Sequence, residues 1–290
     1  MSTPFRHAAV FGKFQAQGVR PILEEIARFL VECGIEVSVD RETADSTGWH
    51  EFGALGIDEL ATVCDLAVVV GGDGTMLGIG REFARHGIPL IGINRGRLGF
   101  ITDIPSTDWR GALGPIVHGN YEQESRAMVE GGVWRDGTQV FQGFALNDVV
   151  VRSIHPSMIE LRVSVGSDHV ANIRCDGMIV ASPTGSTAYA LSAGGPILHP
   201  ALSAIALVPI SPHTLSNRPV AIRSTSKVEV TLVRGVDARA NFDVQSYWEL
   251  EPNDVVCVSA ASRPATLLHP RSYRYFSMLR QKLRWTERTS

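Results

Sequence analysis

The segment from Asp65 to Leu77 constrains the fold of this chain more than any other. It begins with five apolar residues, Leu66 to Val70, and such a run is typical of a buried strand in a parallel sheet. Three glycines then interrupt the run, and apolar residues at helical spacing follow them. The segment therefore predicts a strand, a glycine turn and a helix. In that arrangement the N–H groups at the helix N-terminus favour an anion.

Asp73 stands in the middle of this glycine turn. A carboxylate beside an anion site repels phosphate unless it faces a cation or takes up a proton. Its presence has two interpretations, an aspartate that only shapes the turn or one that takes part in the chemistry. The residues alone leave both open.

Two known phosphate-binding motifs are absent or incomplete in the sequence. No G-x-x-x-x-G-K-[ST] string occurs, which excludes a P-loop. The G-x-G-x-x-G fingerprint of dinucleotide-binding folds is nearly present, but Leu77 stands where its third glycine belongs. A dehydrogenase remains an alternative on this pattern.

The first 121 residues alternate between strand-like and helix-like patterns. They predict strands over 8–11, 35–39 and 88–93, helices over 22–31 and 57–63, and an irregular loop over 40–53. This alternation predicts βαβ units around a parallel sheet. A second glycine-rich turn, Asn94 to Phe100, follows the strand after the Asp73 segment. Because ligands bind at the carboxyl ends of parallel strands, both turns are candidate sites.

After about residue 120 the pattern changes to short β-like runs separated by turn residues. This is typical of an all-β sandwich or barrel. Helical spacing returns at Tyr273, Phe276, Leu279 and Leu283. We therefore predict a Rossmann-like α/β domain over 1–121, with 269–290 packing back on it, and an all-β domain over 122–268.

Composition narrows the functional classes. The chain has 290 residues and a formal net charge of -3, which gives no basic surface for nucleic acid. Its four cysteines lie far apart, so we expect neither a zinc site nor a disulfide framework, and a reducing cytoplasmic setting. The N-terminus lacks the apolar stretch of a signal peptide, and no apolar window is long enough to span a membrane.

The all-β region contains a second unusual segment, Cys175 to Pro196, which is rich in glycine, serine and threonine. Hydroxyl and backbone N–H groups at this density suit phosphate and ribose contacts. The G-x-S-x-G motif of serine hydrolases is missing. Thr184 and Ser186 are equally consistent with turn or capping roles.

Together these segments resemble the NAD kinase family, in its bacterial form. The resemblance rests on the glycine turn around Asp73, on Leu146-Asn147-Asp148, on Pro183 to Tyr189 and on Ser192 to Pro196. It runs from about residue 65 to the C-terminus. The glycine turn alone also resembles that of diacylglycerol kinases, sphingosine kinases and phosphofructokinases, and the long second segment distinguishes between them.

The resemblance implies an α/β N-terminal domain, a β-sandwich C-terminal domain and a cytoplasmic transferase. It implies transfer of the γ-phosphoryl of ATP to the 2′-hydroxyl of the adenosine ribose of NAD, giving NADP. A divalent cation such as Mg²⁺ is expected, some relatives accept polyphosphate, and homodimers or homotetramers are usual. A related lipid or sugar kinase and a nucleotide-sensing module without catalysis are the alternatives.

The resemblance also implies roles for particular residues. Asp73 is the implied general base, and no protein ligand to a metal is assigned. Asp148 stands where glutamate is commoner, and Asp243-Val244-Gln245 departs from the usual Asp-Gly-Gln. The implied phosphate-binding residues are Gly71, Gly72, Gly74 and Thr75. The implied NAD-binding residues are Asp73, Gly74, Asn147, Asp148, Arg174, Asp176, Thr187, Ala188, Tyr189, Ala190, Leu191, Ser192 and Gln245.

Overall fold

The computed structural model describes residues 3–12, 18–96, 99–155, 157–214 and 216–285. Arg97 and Leu98, in the second glycine-rich turn, lie outside the described residues. The chain forms two compact units, residues 1–125 with 265–290, and residues 126–264. The division drawn from the sequence, 1–121 with 269–290 and 122–268, differs by a few residues because a strand on each side joins the first unit's sheet.

The first unit contains most of the helices. Its elements up to the second unit are β1 (His7–Gly12), α1 (Arg20–Glu32), β2 (Glu36–Asp40), α2 (Arg41–Thr47), β3 (Gly53–Leu55), α3 (Ile57–Val63), β4 (Leu66–Gly71), α4 (Asp73–His86), β5 (Leu90–Asn94), β6 (Ile104–Pro105), α5 (Trp109–Val117) and β7 (Glu122–Arg126).

The second unit consists almost entirely of strands. Its elements are β8 (Val129–Arg135), β9 (Thr138–Ala145), β10 (Asp148–Ser153), β11 (Ile159–Val165), β12 (Asp168–Cys175), β13 (Gly177–Ala181), a 3₁₀ turn (Gly185–Thr187), α6 (Tyr189–Ser192), β14 (Ala204–Ile210), β15 (Val220–Arg223), β16 (Val228–Arg234), β17 (Ala238–Phe242), β18 (Ser246–Leu250) and β19 (Val255–Ala260). The chain then returns to the first unit with β20 (Ala265–His269) and α7 (Tyr275–Leu283).

The sheet of the first unit has β4 near its centre. Over the described residues its order is β3-β2-β1-β4-β5-β20-β7, with β6 beside β5. The pairs β1–β2, β1–β4, β4–β5 and β5–β20 are parallel. All six residues of β4 are buried, as the apolar run predicts. The expected α/β fold around parallel strands is confirmed.

One local prediction was wrong. Residues 40–53 were expected to form an irregular loop, but they contain the helix α2. The Asp40 side chain accepts a hydrogen bond from the Thr43 N–H at 2.9 Å, which caps the helix N-terminus. Gly48 ends the helix in the left-handed conformation, and Trp49 after it is only 1% exposed. The capping residues were visible in the sequence, but the polar composition of the segment concealed them.

The second unit is a β-sandwich, as expected. Within the described residues, one six-stranded sheet has the order β15-β14-β13-β10-β17-β18 and the other β12-β11-β16-β19-β8-β9. Neighbouring strands are antiparallel in both sheets. Their inner faces share one apolar core, which includes Val151 and Phe242 from the first sheet and Val163 and Val230 from the second.

The C-terminal helix predicted by the spacing of apolar residues is α7, and it belongs to the first unit. The strand β20 before it was not anticipated, because a five-residue run at the edge of the all-β region resembles the strands that precede it. Among the helices of the described residues, none combines the length and the apolar character needed to cross a bilayer.

Candidate functional site

The glycine turn places Asp73 at the start of a helix. The strand β4 ends at Gly71, Gly72 is extended with φ −120°, and Asp73 is the first residue of α4. The first N–H groups of a helix have no partner within it, and a carboxylate there is stabilised by the helix dipole. The predicted strand, turn and helix are therefore all present, with the acidic residue at the carboxyl end of a central strand.

The turn leaves room for a ligand beside its backbone. Among the described residues, apart from the adjoining residues and the helix backbone, no heavy atom lies within 4 Å of where a side chain would begin at Gly72 or Gly74. At Gly71, in contrast, that position is 2.7 Å from the Thr75 Oγ1, so Thr75 packs directly on the end of the strand. The space at the side-chain position of these two glycines suits the approach of a phosphate group to the helix N-terminus.

The carboxylate of Asp73 is held by a neighbouring segment. Its Oδ2 accepts a hydrogen bond from the Phe100 N–H at 2.8 Å. Its Oδ1 accepts from the Thr102 hydroxyl at 2.9 Å, from the Thr102 N–H at 3.2 Å and from the Ile101 N–H at 3.3 Å. A carboxylate pointing into packed hydrocarbon would exclude base chemistry, whereas this half-buried one lies among polar groups.

The sequence had marked the turn from Asn94 to Phe100 but had assigned none of its residues a role. Thr102 lies just beyond that turn and was missed. A signal was present, because the strands before the two glycine turns were predicted for one parallel sheet, in which the carboxyl ends of the strands lie along one edge. The segment after β5 was therefore bound to lie near the segment after β4, where Asp73 stands.

In the second unit, Asp148 is the first residue of β10 and Asn147 directly precedes the strand. The carboxylate of Asp243 accepts hydrogen bonds from three consecutive N–H groups, those of Leu146 at 2.7 Å, Asn147 at 2.8 Å and Asp148 at 3.2 Å. Asp243 thus fixes the backbone that carries both predicted residues. It was missed because the comparison with Asp-Gly-Gln directed attention to Gln245, which is exposed.

The turn that carries Asp243 has an unusual backbone. Both Asp243 and Val244 have positive φ, 51° and 64°. A β-branched residue in this region is rare and costs conformational energy. The hydrogen bonds from residues 146–148 to the Asp243 side chain offset part of this cost. Such strain occurs preferentially at functional sites.

Asp148 is an unusual carboxyl group. It is 3% exposed, and burial followed by the neighbouring charge of Asp243 raises its pKa to about 7. The Asp243 carboxylate itself accepts three backbone N–H groups from the segment that carries Asp148. The Asp148 carboxyl therefore keeps its proton to a higher pH than an exposed aspartate does, and in the protonated form it is able to donate a hydrogen bond as well as to accept one.

This raised pKa predicts a pH-dependent stability. The unfolded carboxyl titrates near 3.8 and the folded one near 7, so the folded state binds more protons between these values. The stabilisation that this carboxyl gives the folded state is complete below the unfolded pKa and is lost as the pH rises through the folded pKa. In the wild type this carboxyl is expected to make the unfolding free energy about 2 kcal/mol lower at pH 8 than at pH 5.5. We expect Asp148→Asn to abolish this contribution.

The measurement is chemical denaturation of the ligand-free protein at both pH values. Asp168→Asn is the control, since it removes an exposed carboxylate from the same unit. An Asp148→Asn variant that keeps the full wild-type pH difference would contradict the prediction.

The serines of the second motif shape the turn. The Ser182 hydroxyl donates to the Leu146 carbonyl at 2.5 Å, and the Ser182 N–H donates to the Asn147 carbonyl at 2.8 Å. The Ser186 hydroxyl donates to the Pro183 carbonyl at 2.6 Å and accepts from the Leu198 N–H at 2.9 Å. Ser186 therefore has the turn role that the sequence had left open, and the motif is attached directly to Asn147.

Gly185 makes this attachment possible. A side chain at this position would overlap the backbone carbonyl of Asn147. We expect Gly185→Ala to lower the unfolding free energy by about 1–3 kcal/mol, because backbone atoms cannot rotate away as side chains do. Thermal unfolding of the variant and the wild type measures this decrease.

Gly143→Ala is the matched control for that prediction. The nearest atoms to a Cβ there belong to the side chains of Phe141 and Phe242, at 3.1 Å, so its cost is expected to be smaller. Equal unfolding midpoints for Gly185→Ala and the wild type would refute the assigned contact.

The residues from Thr187 to Ser192 differ in exposure. Tyr189 is 37% exposed, so it is no ordinary core residue. Ser192 is also exposed, and Thr187, Ala188 and Leu191 are half-buried. Ala190, in contrast, is fully buried in a small apolar cluster of the second unit. Its side chain supports the short helix α6 and is not presented at the surface.

Arg174 and Asp176 flank the buried Cys175 at the end of β12, and both are exposed. Arg174 lines a cavity of about 550 Å³, together with Glu160 and Arg234. Burial raises the pKa of the Cys175 thiol to about 11. The thiol is therefore protonated at neutral pH, which agrees with a packing role rather than a reactive one.

A divalent cation is implied by the family resemblance. Among the described residues, no group of three or more His, Cys, Asp or Glu side chains is placed to hold a metal ion. Mg²⁺ usually takes one or two carboxylates, several waters and phosphate oxygens of the substrate. The carboxylate of Asp73, beside a glycine turn with room for a phosphate group, is consistent with a cation that arrives with a nucleotide.

An α/β unit with an acidic glycine turn, together with a β-sandwich that carries a hydroxyl-rich motif, defines a class of nucleotide-dependent kinases. Comparison with known sequences agrees with this class. The ATP-NAD kinase N-terminal domain matches residues 9–121, and the ATP-NAD kinase C-terminal domain matches residues 146–269. The chain belongs to the NAD kinase family.

Full-length relatives support the same assignment. The NAD kinase of Methylibium petroleiphilum is 51% identical over 292 residues, covering 99% of this chain and 97% of that protein. The NAD kinase of a Polaromonas species is also 51% identical, with 99% of each chain covered.

Two solved structures resemble the chain. An NAD kinase from Archaeoglobus fulgidus in complex with ATP is 29% identical with a TM-score of 0.77, covering 96% of this chain and 98% of that one. Yeast NADH kinase complexed with NADH has a TM-score of 0.90 at 21% identity, covering 99% and 90%. The yeast likeness is one of fold.

Proposed function

We infer that this chain is an ATP-dependent NAD kinase, which transfers the γ-phosphoryl of ATP to the 2′-hydroxyl of the adenosine ribose of NAD. The observation that carries the inference is the carboxylate of Asp73 at the open N-terminus of α4. Relatives named NAD kinase at about half identity over the full length support the activity. The archaeal relative in complex with ATP supports ATP as the donor.

In the proposed reaction Asp73 is the general base. As the 2′-oxygen attacks the γ-phosphorus, its proton passes to the carboxylate, the new O–P bond forms and the bond to the β-phosphate oxygen breaks. ADP and NADP are the products. A positioned base contributes about 10²–10⁴-fold to such a step. The rest of the rate enhancement comes from alignment and from neutralising the phosphate charge.

The glycine turn supplies the phosphate contacts in this proposal. Gly72 and Gly74 leave space beside the turn, Gly71 lets Thr75 pack on the end of β4, and Thr75 adds a hydroxyl in the first turn of α4. A Mg²⁺ ion would arrive on the triphosphate beside this turn, and no side chain of the chain is assigned as its ligand. When bound, that ion supplies positive charge to the phosphate oxygens.

The dinucleotide contacts are assigned to the second unit. Asn147 and Asp148 are fixed through their backbone by Asp243, and the exposed ring of Tyr189 is available for stacking on a base. The exposed Arg174 and Asp176 suit the nicotinamide end. The remaining proposed contacts are Thr187, Ala188, Ala190, Leu191, Ser192 and Gln245, of which Ala190 contributes through its backbone or by supporting its neighbours.

Further properties of the family are proposed for this chain on the resemblance alone. They are a homodimeric or homotetrameric assembly, a cytoplasmic location and dependence on a divalent cation; polyphosphate, which some relatives accept, is a candidate alternative donor. The functional domain boundaries at 1–121 with 269–290 and 122–268 stay a prediction of the same kind.

The activity is tested by product formation with ATP or polyphosphate as donor and NAD or NADH as acceptor, in all four combinations with Mg²⁺. An NADP-specific dehydrogenase detects the NADP formed from NAD. The NADPH formed from NADH is first oxidised enzymatically to NADP and then detected in the same way. We expect NADP from ATP and NAD. Well-folded protein that forms no product with any combination would overturn the proposal in favour of a lipid kinase, a sugar kinase or a nucleotide sensor.

A further inference from the structure

The Thr102 hydroxyl lies between two polar groups of the first unit. Its oxygen is 2.8 Å from the Asn94 Nδ2 and 2.9 Å from the Asp73 Oδ1. Thr102 is fully buried and Asn94 is 4% exposed, so neither side chain is placed to touch a substrate. A buried hydroxyl facing the candidate base therefore acts on the reaction only through that base.

The direction of each hydrogen bond in this group is determined by a neighbouring backbone group. The Gly96 N–H donates to the Asn94 Oδ1 at 2.7 Å. Because a backbone N–H only donates, the oxygen of the Asn94 amide faces Gly96, and its nitrogen faces Thr102. The Thr102 oxygen accepts from that nitrogen, and its own hydrogen is directed to the Asp73 Oδ1.

The two carboxylate oxygens of Asp73 consequently differ. Oδ1 accepts three hydrogen bonds, one of them from this chain of donors. Oδ2 accepts one from the described residues, that of the Phe100 N–H, and keeps a lone pair available. Chains of aligned hydrogen bonds strengthen each other in a buried setting, so the orientation of the carboxylate is firmly defined.

We propose that Thr102, oriented by Asn94, is a positioning residue that anchors Asp73 through Oδ1 and leaves Oδ2 to take the 2′-hydroxyl proton. The inference rests on the proposed kinase function and deepens it. Tight packing supports the anchoring, since a side chain at Gly92 would lie 2.8 Å from the Ile101 carbonyl oxygen and 3.0 Å from the Thr102 Cα. The segment cannot relax toward the sheet to compensate for a lost contact.

The test compares Thr102→Val, which has nearly the same shape without the hydroxyl, with Thr102→Ser, which retains it. We expect Thr102→Val to lower kcat about tenfold or more, with KM for ATP and NAD changed less than about twofold. Thr102→Ser is expected to restore most of kcat. Thr43→Val is the matched control, because its buried hydroxyl also donates to an aspartate, Asp40, at 3.0 Å.

Asn94→Asp is a second variant in case Thr102→Val folds poorly. It replaces the donor that faces Thr102 by an acceptor, which draws the hydroxyl hydrogen away from Asp73. A similar loss of kcat is expected, and the double variant should lose little more than either single one, because both remove the same hydrogen bond.

The outcomes separate this inference from the proposed function. Wild-type protein that forms no NADP defeats the function itself. If the wild type is active, three results would overturn the positioning role and leave the kinase activity intact. They are an unchanged kcat in Thr102→Val, equal losses of kcat in the Val and Ser variants, and a rise in KM alone.

Discussion

Asp73→Asn is expected to lower kcat by about 10²-fold or more while the protein stays folded. The asparagine oxygen can replace Oδ1 toward Thr102, but its nitrogen then faces the Phe100 N–H, and two donors oppose each other. The loss of basicity removes the proton acceptor of the proposed reaction. Steady-state kinetics with ATP and NAD measure kcat, and circular dichroism with thermal unfolding measures the fold.

Asp65→Asn is the matched control for this substitution. Asp65 precedes β4, whereas Asp73 follows it, and its carboxylate also accepts backbone N–H groups, from Arg6 at 2.9 Å and from His7 at 3.1 Å. The control therefore carries a similar hydrogen-bond mismatch without touching the candidate base. We expect it to keep kcat within about threefold of the wild type, because it lies at the opposite end of the strand.

NAD affinity distinguishes the alternatives for Asp73. In a kinase, Asp73→Asn retains most of the binding and loses turnover. In a nucleotide-sensing module, the variant would leave both NAD affinity and every measurable output unchanged. Full turnover in a folded Asp73→Asn protein would remove Asp73 from the chemistry.

Gly99→Ala is expected to lower kcat by about 10²-fold. A Cβ at Gly99 would overlap both the Asp73 Oδ1 and the Thr102 Oγ1. The carboxylate must therefore move, and a displacement of about 1 Å in a reacting group is enough for a loss of this size. The expected loss is in kcat, measured by steady-state kinetics, because the displaced atoms belong to the base and its anchor.

Gly96→Ala is the control in the same turn. Among the described residues no heavy atom lies within 4 Å of where its side chain would begin. The variant changes backbone freedom as Gly99→Ala does, without the overlap, and is expected to retain most of the activity. If the two variants lose activity equally, flexibility of the turn rather than the position of Asp73 is the cause.

Much of the framework of the site was predictable from the sequence. The apolar run before Gly71 predicted a buried strand, and the glycines with Asp73 predicted a turn that leads into a helix; both elements are present. These features depend on residues that are neighbours in the chain, so local spacing and turn chemistry are sufficient to recognise them. The α2 helix could have been predicted for the same reason, from its capping residues Asp40 and Gly48.

The partners of the functional groups were not predictable in this way. Thr102 is 29 residues from Asp73, and Asp243 is 96 residues from Asn147. No periodicity relates such pairs, and each hydrogen bond exists only after strands from distant parts of the chain have paired. The raised pKa of Asp148 has the same origin, since burial and the charge of Asp243 both come from tertiary packing.

The sequence by itself determined the two classes of domain, the glycine turn that carries Asp73 and the motif around Gly185. Only the tertiary structure decided which carboxylate oxygen is anchored and which is open, and which buried groups fix Asn147 and Asp148. The physical reason is the separation along the chain over which each effect acts. Propensity and periodicity act between residues a few positions apart, whereas the orientation of a carboxylate depends on donors that folding brings to within 3 Å of it.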